Sequence, residues 1–219
     1  MTREADLLDR VVPPCVVVCE VGDDVEEPLF PAEERHIARA VARRRAEFTT
    51  VRYCARQALR GLGRQRPVMV PGDQGEPTWP DGVVGALTHC EGYRAAAVAR
   101  SQEVASLGID AEPNGPLPSG VLGIVASAAE RDHLRAVSAQ RPGIAFDRLL
   151  FSVKESVYKA WFPLERCWLG FDDVEVRIEP WGGFQARLLA AAVPWHSVRG
   201  AWVCSGSHVA SVVVVPATC

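Results

Sequence analysis

The sequence has no apolar run approaching the roughly 18 residues that a membrane-spanning helix needs. Its start, Met1-Thr-Arg-Glu-Ala-Asp6, is acidic, where a secretory leader would carry a basic segment and then an apolar core. Together these absences predict a cytoplasmic protein that does not associate with membranes. Cys-x-x-Cys pairs are missing as well. The seven cysteines stand at 15, 19, 54, 90, 167, 204 and 219, an odd and scattered set that fits neither a zinc site nor a disulfide framework. They read as thiols kept reduced. There is no excess of basic charge: a net charge of −3 argues against unspecific binding to nucleic acid or anionic membrane, while leaving room for a local basic pocket. Gly-x-x-x-x-Gly-Lys and Gly-x-Gly-x-x-Gly loops are both absent, so phosphate-loop and Rossmann nucleotide sites lack their motif. No Ser, His and Asp fall at a recognisable triad spacing, which leaves nucleophilic hydrolase chemistry without support.

What remains is a chain of ordinary globular composition and 219 residues, enough for one substantial domain or two small ones in contact. Val11–Cys19 is β-rich and broken by Pro13-Pro14, a strand with an irregular start. Pro31 opens a helical pattern through Ile37, Val41, Phe48, Val51 and Ala58, ended by Gly61 and Gly63. Residues 64–82 read as a long loop. Val83–Leu87, Tyr93–Ala99 and Val104–Ile109 read as strands, and Asn114–Gly120 as a Pro/Gly loop. Ser127-Ala-Ala-Glu130 is a capping box opening a short helix through about Arg135. A further helix covers 151–162, with Asp147 able to cap it and Pro163 stopping it. Strands are predicted at Val174–Ile178, Phe184–Leu189, Val198–Val203 and Val209–Val215. Strand, long helix, three strands, then helix and strands again: this order predicts an α+β fold of two similar halves, residues 1–108 and 109–219. The repetition is of elements, not of residues.

Four segments carry chemistry. In Gly108-Ile-Asp-Ala-Glu-Pro113, alternation along a strand puts Asp110 and Glu112 on one face, with Ile109 and Ala111 toward the core. Adjacent carboxylates repel unless a cation sits between them. In Phe151-Ser-Val-Lys-Glu-Ser-Val-Tyr-Lys-Ala-Trp-Phe162, Glu155 and Lys159 share a helix face. Their polar strip is narrow and flanked by aromatics, which suits a cleft wall. Glu155 joins Asp110 and Glu112 as a third hard oxygen ligand, and such a set with a lysine suits Mg²⁺ and a phosphate. Thr88 and His89 lie at a strand-to-turn junction, from which both can donate to phosphate oxygens. Arg43, Arg44, Arg45, Arg52 and Arg56 lie along one helical segment. They form either a solvated face or, through Arg44, Arg45 and Arg52, a phosphate clamp.

Together these segments resemble the Sfp-type 4′-phosphopantetheinyl transferases, in the subgroup of enterobactin synthase component D and the actinobacterial enzymes. The match rests on Arg44-Arg-Ala-Glu-Phe-Thr-Thr-Val-Arg-Tyr-Cys-Ala-Arg56, Gly72-Asp-Gln-Gly-Glu-Pro77, Leu87-Thr-His-Cys-Glu-Gly-Tyr-Arg94, Gly108-Ile-Asp-Ala-Glu-Pro113 and the lysine-bearing helix, in the family's order. It spans residues 30 to about 175.

The resemblance implies a pseudo-two-fold pair of α/β subdomains with the active site in the cleft between them. It implies transfer of the 4′-phosphopantetheine arm of coenzyme A to a serine of an apo acyl or peptidyl carrier protein, with release of adenosine 3′,5′-bisphosphate. The carriers would belong to fatty acid, polyketide or nonribosomal peptide synthases, and family breadth points to secondary metabolism, including antibiotic biosynthesis. The implied metal is Mg²⁺, or Mn²⁺ in its place, on Asp110, Glu112 and Glu155. Glu155 is also a candidate base, and Lys159 the residue facing the leaving bisphosphate. Arg44, Arg52, Thr88, His89 and Lys154 would contact coenzyme A phosphates, and the residues around Asn114–Leu122 the carrier. Larger members of the family act as monomers. One departure stands out: Pro71 and Gln74 occupy positions where related loops carry lysine, so Arg44, Arg52 and His89 are expected to carry more of the 3′-phosphate contact. Two other functions share the residues: a coenzyme A or carrier binder without turnover, and a different magnesium-dependent phosphodiesterase.

Overall fold

The computed structural model describes residues 6–189 and 196–217. The acidic start at residues 1–5 and Cys219 lie outside the described residues. Two antiparallel sheets organise the chain. The first has three strands in the order β1-β3-β2, formed by β1 (Val16–Val21), β2 (Val83–Cys90) and β3 (Tyr93–Arg100). The second has five, in the order β4-β8-β7-β6-β5, formed by β4 (Val104–Pro113), β5 (Val174–Ile178), β6 (Gly183–Leu188), β7 (Ser197–Cys204) and β8 (His208–Pro216). The expected strands are all present, with ends displaced by a few residues. β1 is the exception in kind. The Pro13-Pro14 pair postpones it to Val16, and the chain before it makes a 3-10 turn at Leu8–Arg10.

β3 shows why the sheets stack. Every residue from Tyr93 to Ala99 is buried. Its alternate side chains go opposite ways: Ala95, Ala97 and Ala99 join the core shared with the second sheet, and Ala96 and Val98 join the core under the long first-half helix. A strand buried on both faces reads as a continuous apolar run, and β3 does from Ala95 to Ala99; Arg94 is the buried exception.

Two 20-residue helices flank the sheets. Helix α2 (Ala42–Gly61) packs on β3 and β1; helix α5 (Phe146–Glu165) packs on β4 and β8. The helical pattern predicted from Pro31 is split into α1 (Pro31–His36) and α2, because the chain turns at residues 37–41 and buries Ile37 there. Helices α3 (Val121–Val125) and α4 (Ala128–Gln140) precede α5. The Ser127/Glu130 capping box is present, with the Ser127 hydroxyl accepting from Glu130 N at 3.1 Å. Asp147 lies in the first turn of α5, where its carboxylate accepts from Leu117 N rather than acting as the N-cap. Pro163 does not stop the helix. It lies in the final turns, and the end comes at Arg166, which adopts a left-handed conformation (φ 53°) with its N–H on Phe162 O.

The architecture is thus a mixed α/β pair, one long helix on one sheet in each half. The changeover falls between Arg100 and Val104, ahead of the expected 108/109 division, because β4 pairs with β8 along nearly its whole length. Edge strand β2 of the first sheet packs beside edge strand β4 of the second. The chemistry-bearing residues gather at that seam.

Candidate active site

A cavity of about 730 Å³ opens at the seam. Its walls come from α2, the 74–79 loop, β2, β4 and α5. How closely α5 approaches β4 behind it is set by Gly108. A Cβ there would meet Ser156 O at 1.9 Å and Ala160 N at 2.7 Å, so only glycine lets the α5 backbone lie this close to β4. Ser106 fixes the same contact, its hydroxyl donating to Ala160 O at 2.6 Å. The consequence is local: Lys159 and Asp110 meet. Lys159 Nζ donates to Asp110 Oδ1 at 2.7 Å and to Ile109 O at 3.1 Å.

Asp110 is the most constrained carboxylate of the cavity. It is 5% exposed, and Thr88 donates to the same Oδ1 at 3.3 Å. Its other oxygen, Oδ2, is buried without a hydrogen-bond partner. An anionic oxygen left bare in a protein interior is costly unless something positive reaches it. Glu112, two residues on, faces the same cavity and pairs with Arg148, whose Nη1 lies 3.1 Å from Oε2. Burial, reinforced by Asp110, holds the Glu112 carboxyl above its usual range, with Arg148 opposing. Glu155 lines the cavity from α5. Burial pushes its carboxyl up too, Lys159 opposes, and Asp110 adds a smaller upward push.

The donor set fits a divalent cation of the magnesium type: hard carboxylate oxygens, one of them bare, on a cavity wide enough for other ligands. Among the described residues no three His, Cys, Asp or Glu side chains converge into a ready-made cage. Mg²⁺ does not demand one, since it ordinarily takes one or two carboxylates and completes its shell with water and substrate phosphate.

The opposite wall is cationic. Arg44 Nη1 lies 2.9 Å from His89 Nε2, and both residues line the cavity. Burial lowers the His89 pKa, Arg44, Lys159 and Arg94 push the same way, and Glu47 opposes. Arg52 also lines the cavity, but its guanidinium stacks 3.7 Å over Phe48 and donates through Nε and Nη2 to Met69 O. Desolvation lowers its pKa to about 10.

Two expected phosphate contacts are corrected. Lys154 does not line the cavity. It is 3% exposed, and its ammonium donates to Val125 O, Glu130 Oε2 and Phe171 O at 2.8, 3.0 and 2.9 Å, which uses all three protons. The reason is helical geometry: five residues from Lys159 is about 140° around the axis, the far side of α5. Thr88 lies at the cavity but has no free proton. Its hydroxyl donates to Asp110 and accepts from Ala111 N at 3.0 Å, stitching β2 to β4. Arg45 pairs with Glu34 at 2.7 Å and Arg56 with Glu27 and Glu33, so neither belongs to the phosphate wall.

Other residues of the site were not singled out from sequence. Glu47 is buried beside Arg43, Arg44 and His89; its spacing of three and four from the two arginines was the available signal. Arg148 is separated from Glu112 by 36 positions and gave none. Glu76 and Arg166 pair at 2.9 Å across the mouth, joining the loop of one half to the end of α5 in the other.

Known proteins align with this picture. Residues 32–99 match the family model of the 4′-phosphopantetheinyl transferase N-terminal domain, and residues 106–213 that of the 4′-phosphopantetheinyl transferase superfamily. The chain is 56% identical over 171 residues to 4′-phosphopantetheinyl transferase Svp of Streptomyces mobaraensis, covering 78% of this chain and 70% of that protein. It is 46% identical over 197 residues to 4′-phosphopantetheinyl transferase PptT of Mycobacterium tuberculosis, covering 85% and 86%. Enterobactin synthase component D of Salmonella typhi is 33% identical over 177 residues, covering 78% and 72%.

Proposed function

The chain belongs to the 4′-phosphopantetheinyl transferases, a family of enzymes, and from that premise we propose that it moves the phosphopantetheine arm of coenzyme A onto a serine of an apo carrier protein. The observation that carries the reading is the bare, buried Oδ2 of Asp110 beside Lys159, in a cavity that faces Arg44 and His89. Cations on one wall and carboxylates on the other suit a ligand that is itself a string of phosphates.

Asp110, Glu112 and Glu155 would hold Mg²⁺, or Mn²⁺. When bound, such an ion neutralises pyrophosphate oxygens and lowers the cost of charge building up on them. The chain's own residues do the rest. Arg44, His89 and the remaining donors of Arg52 bind coenzyme A phosphates. Lys159 Nζ, anchored on Asp110 and Ile109 O, lies where it can stabilise or protonate the departing bisphosphate oxygen. Glu155, on the cavity wall of α5, accepts the proton of the attacking serine. The serine oxygen forms a bond to the β-phosphorus, the bond from that phosphorus to the bridging oxygen breaks, and adenosine 3′,5′-bisphosphate leaves.

The carrier would meet the face around 114–125, where Ile124 is exposed beside the loop that Arg148 holds through Gly115 O and Pro116 O. The test is intact-protein mass spectrometry of several apo carriers mixed with enzyme, coenzyme A and Mg²⁺. A gain of one phosphopantetheine on the carrier is expected. An unchanged carrier would mark a binder without turnover, and release of free phosphopantetheine without carrier a phosphodiesterase; either overturns the proposal.

A further inference from the structure

Glu47 is a buried carboxylate that no step above uses. It sits on α2 among three cationic or basic groups: Arg43 Nε at 3.0 Å, Arg44 Nη1 at 3.7 Å and His89 Nδ1 at 3.8 Å. The arrangement fixes a proton. A guanidinium can only donate, so the 2.9 Å contact from Arg44 makes His89 Nε2 an acceptor. The ring is therefore neutral, with its one proton on Nδ1, the nitrogen that lies 3.8 Å from Glu47 Oε2, within electrostatic but not hydrogen-bond reach. We propose that Glu47 is a positioning residue for the anion-recognising wall: its carboxylate, on the Nδ1 side of His89, favours the imidazolium, so that Nε2 takes up a second proton when a phosphate draws Arg44 away.

The inference rests on the reading of the cavity as a coenzyme A site. It adds that recognition of a phosphate dianion there is coupled to proton uptake. The balance is simple: a neutral imidazole and one solvent proton become an imidazolium, whose Nε2–H donates to a phosphate oxygen. Arg44 donates to the same group. Glu47 stays ionised and stabilises the new charge from behind. The groups facing His89 are Glu47 and Arg44 from α2, Arg94 directly opposite on β3, and Lys159 from α5. Burial first, and then the three cations among these four, favour the neutral ring in the empty site; Asp110 and Glu112 of β4 line the same cavity, and an arriving dianion changes the balance. Without lysine at positions 71 and 74, this wall carries more of the phosphate recognition.

Calorimetric titration tests this without a carrier. Coenzyme A and dephospho-coenzyme A are titrated at about pH 8, well above the second phosphate pKa of about 6, in buffers of different ionisation enthalpy. The wild type is expected to prefer coenzyme A and to absorb a fraction of a proton only with it. Glu47→Gln should lower coenzyme A affinity roughly tenfold or more, toward that of dephospho-coenzyme A, and abolish the uptake. His89→Gln, which keeps an acceptor but cannot take up the proton, should also abolish it. Should Glu47→Gln fail to melt cooperatively, His89→Gln decides. Equal affinity of the wild type for the two ligands, or undiminished uptake in a folded variant, overturns the inference. Loss of carrier modification alone would instead count against the transferase reading, so the two failures are distinguishable.

Discussion

The two lysines of α5, the only lysines in the sequence, end in opposite environments. Lys159 is 28% exposed and pairs with a carboxylate whose second oxygen is bare. Lys154 is 2% exposed along its side chain, and its pair with Glu130 is closed: Glu130 also accepts from Ser127 N at 2.8 Å and Val176 N at 2.8 Å. Similar ion pairs on one helix thus do different work. A saturated pair joins α5 to α3, α4 and β5. An unsaturated pair keeps charge at the cavity for a ligand to complete.

The strongest test of this contrast lies on the closed side. Lys154→Met leaves a buried carboxylate without its cation and should cost about 3–5 kcal/mol of stability. Urea unfolding measures it, and the double variant with Glu130→Gln should recover part of the loss. Turnover per folded molecule should stay at the wild-type level; a large drop there would return Lys154 to the phosphate site. On the open side the pattern inverts. Lys159→Ala or Asp110→Ala should reduce carrier modification by roughly 100-fold or more, with little change in unfolding midpoint. Wild-type turnover in either variant would refute the assignment.

Gly108→Ala touches both regions at once, because α5 must back away from β4. We expect a loss of about 1–3 kcal/mol together with reduced turnover. Stability lost without any change in turnover would show that the Lys159–Asp110 contact survives the displacement.

The smallest effect concerns Glu20, a buried carboxylate with no cation among its hydrogen-bond partners in the described residues. It accepts from Leu7, Leu8 and Asp9 N–H groups and from the Tyr93 hydroxyl. Burial raises its pKa above 4.5 against the pull of those bonds. The folded state therefore holds the proton more tightly than the unfolded chain. That contribution to stability is fully present below 4.5 and is lost as pH rises through the folded value. Glu20→Gln should flatten the stability–pH profile in this range, whatever its absolute effect. An unchanged slope would show that Glu20 titrates no differently folded and unfolded.

Sequence made the strands and the carboxylate face legible, because alternation is a local signal: Ile109 and Ala111 face the core while Asp110 and Glu112 face the cavity. The fate of Lys154 was not legible. Its partners lie 24 and 29 residues upstream and 17 downstream, and position on a helix does not reveal what packs against it. Thr88 illustrates the same limit, since a hydroxyl near a turn looks free until Ala111 N is placed beside it. The break at residues 37–41 escaped because Ile37 and Val41 preserve helical spacing; only Ile37 is buried, and Val41 is 73% exposed. Pro163 lies in the last turns of α5, where its missing N–H disturbs little, so its presence in the sequence does not mark the helix end.

The lysine pair has one further consequence, for covalent chemistry. Every basic side chain other than these two and the histidines is arginine, which does not react with amine-selective acylating reagents under ordinary conditions. With one lysine sealed by three hydrogen bonds and the other at the cavity wall, Lys159 is the reactive side-chain amine that the folded chain presents. Protection of Lys159 from acylation then becomes a direct gauge of cavity occupancy, and a reagent that ordinarily decorates a whole protein surface acts here as a probe of one site.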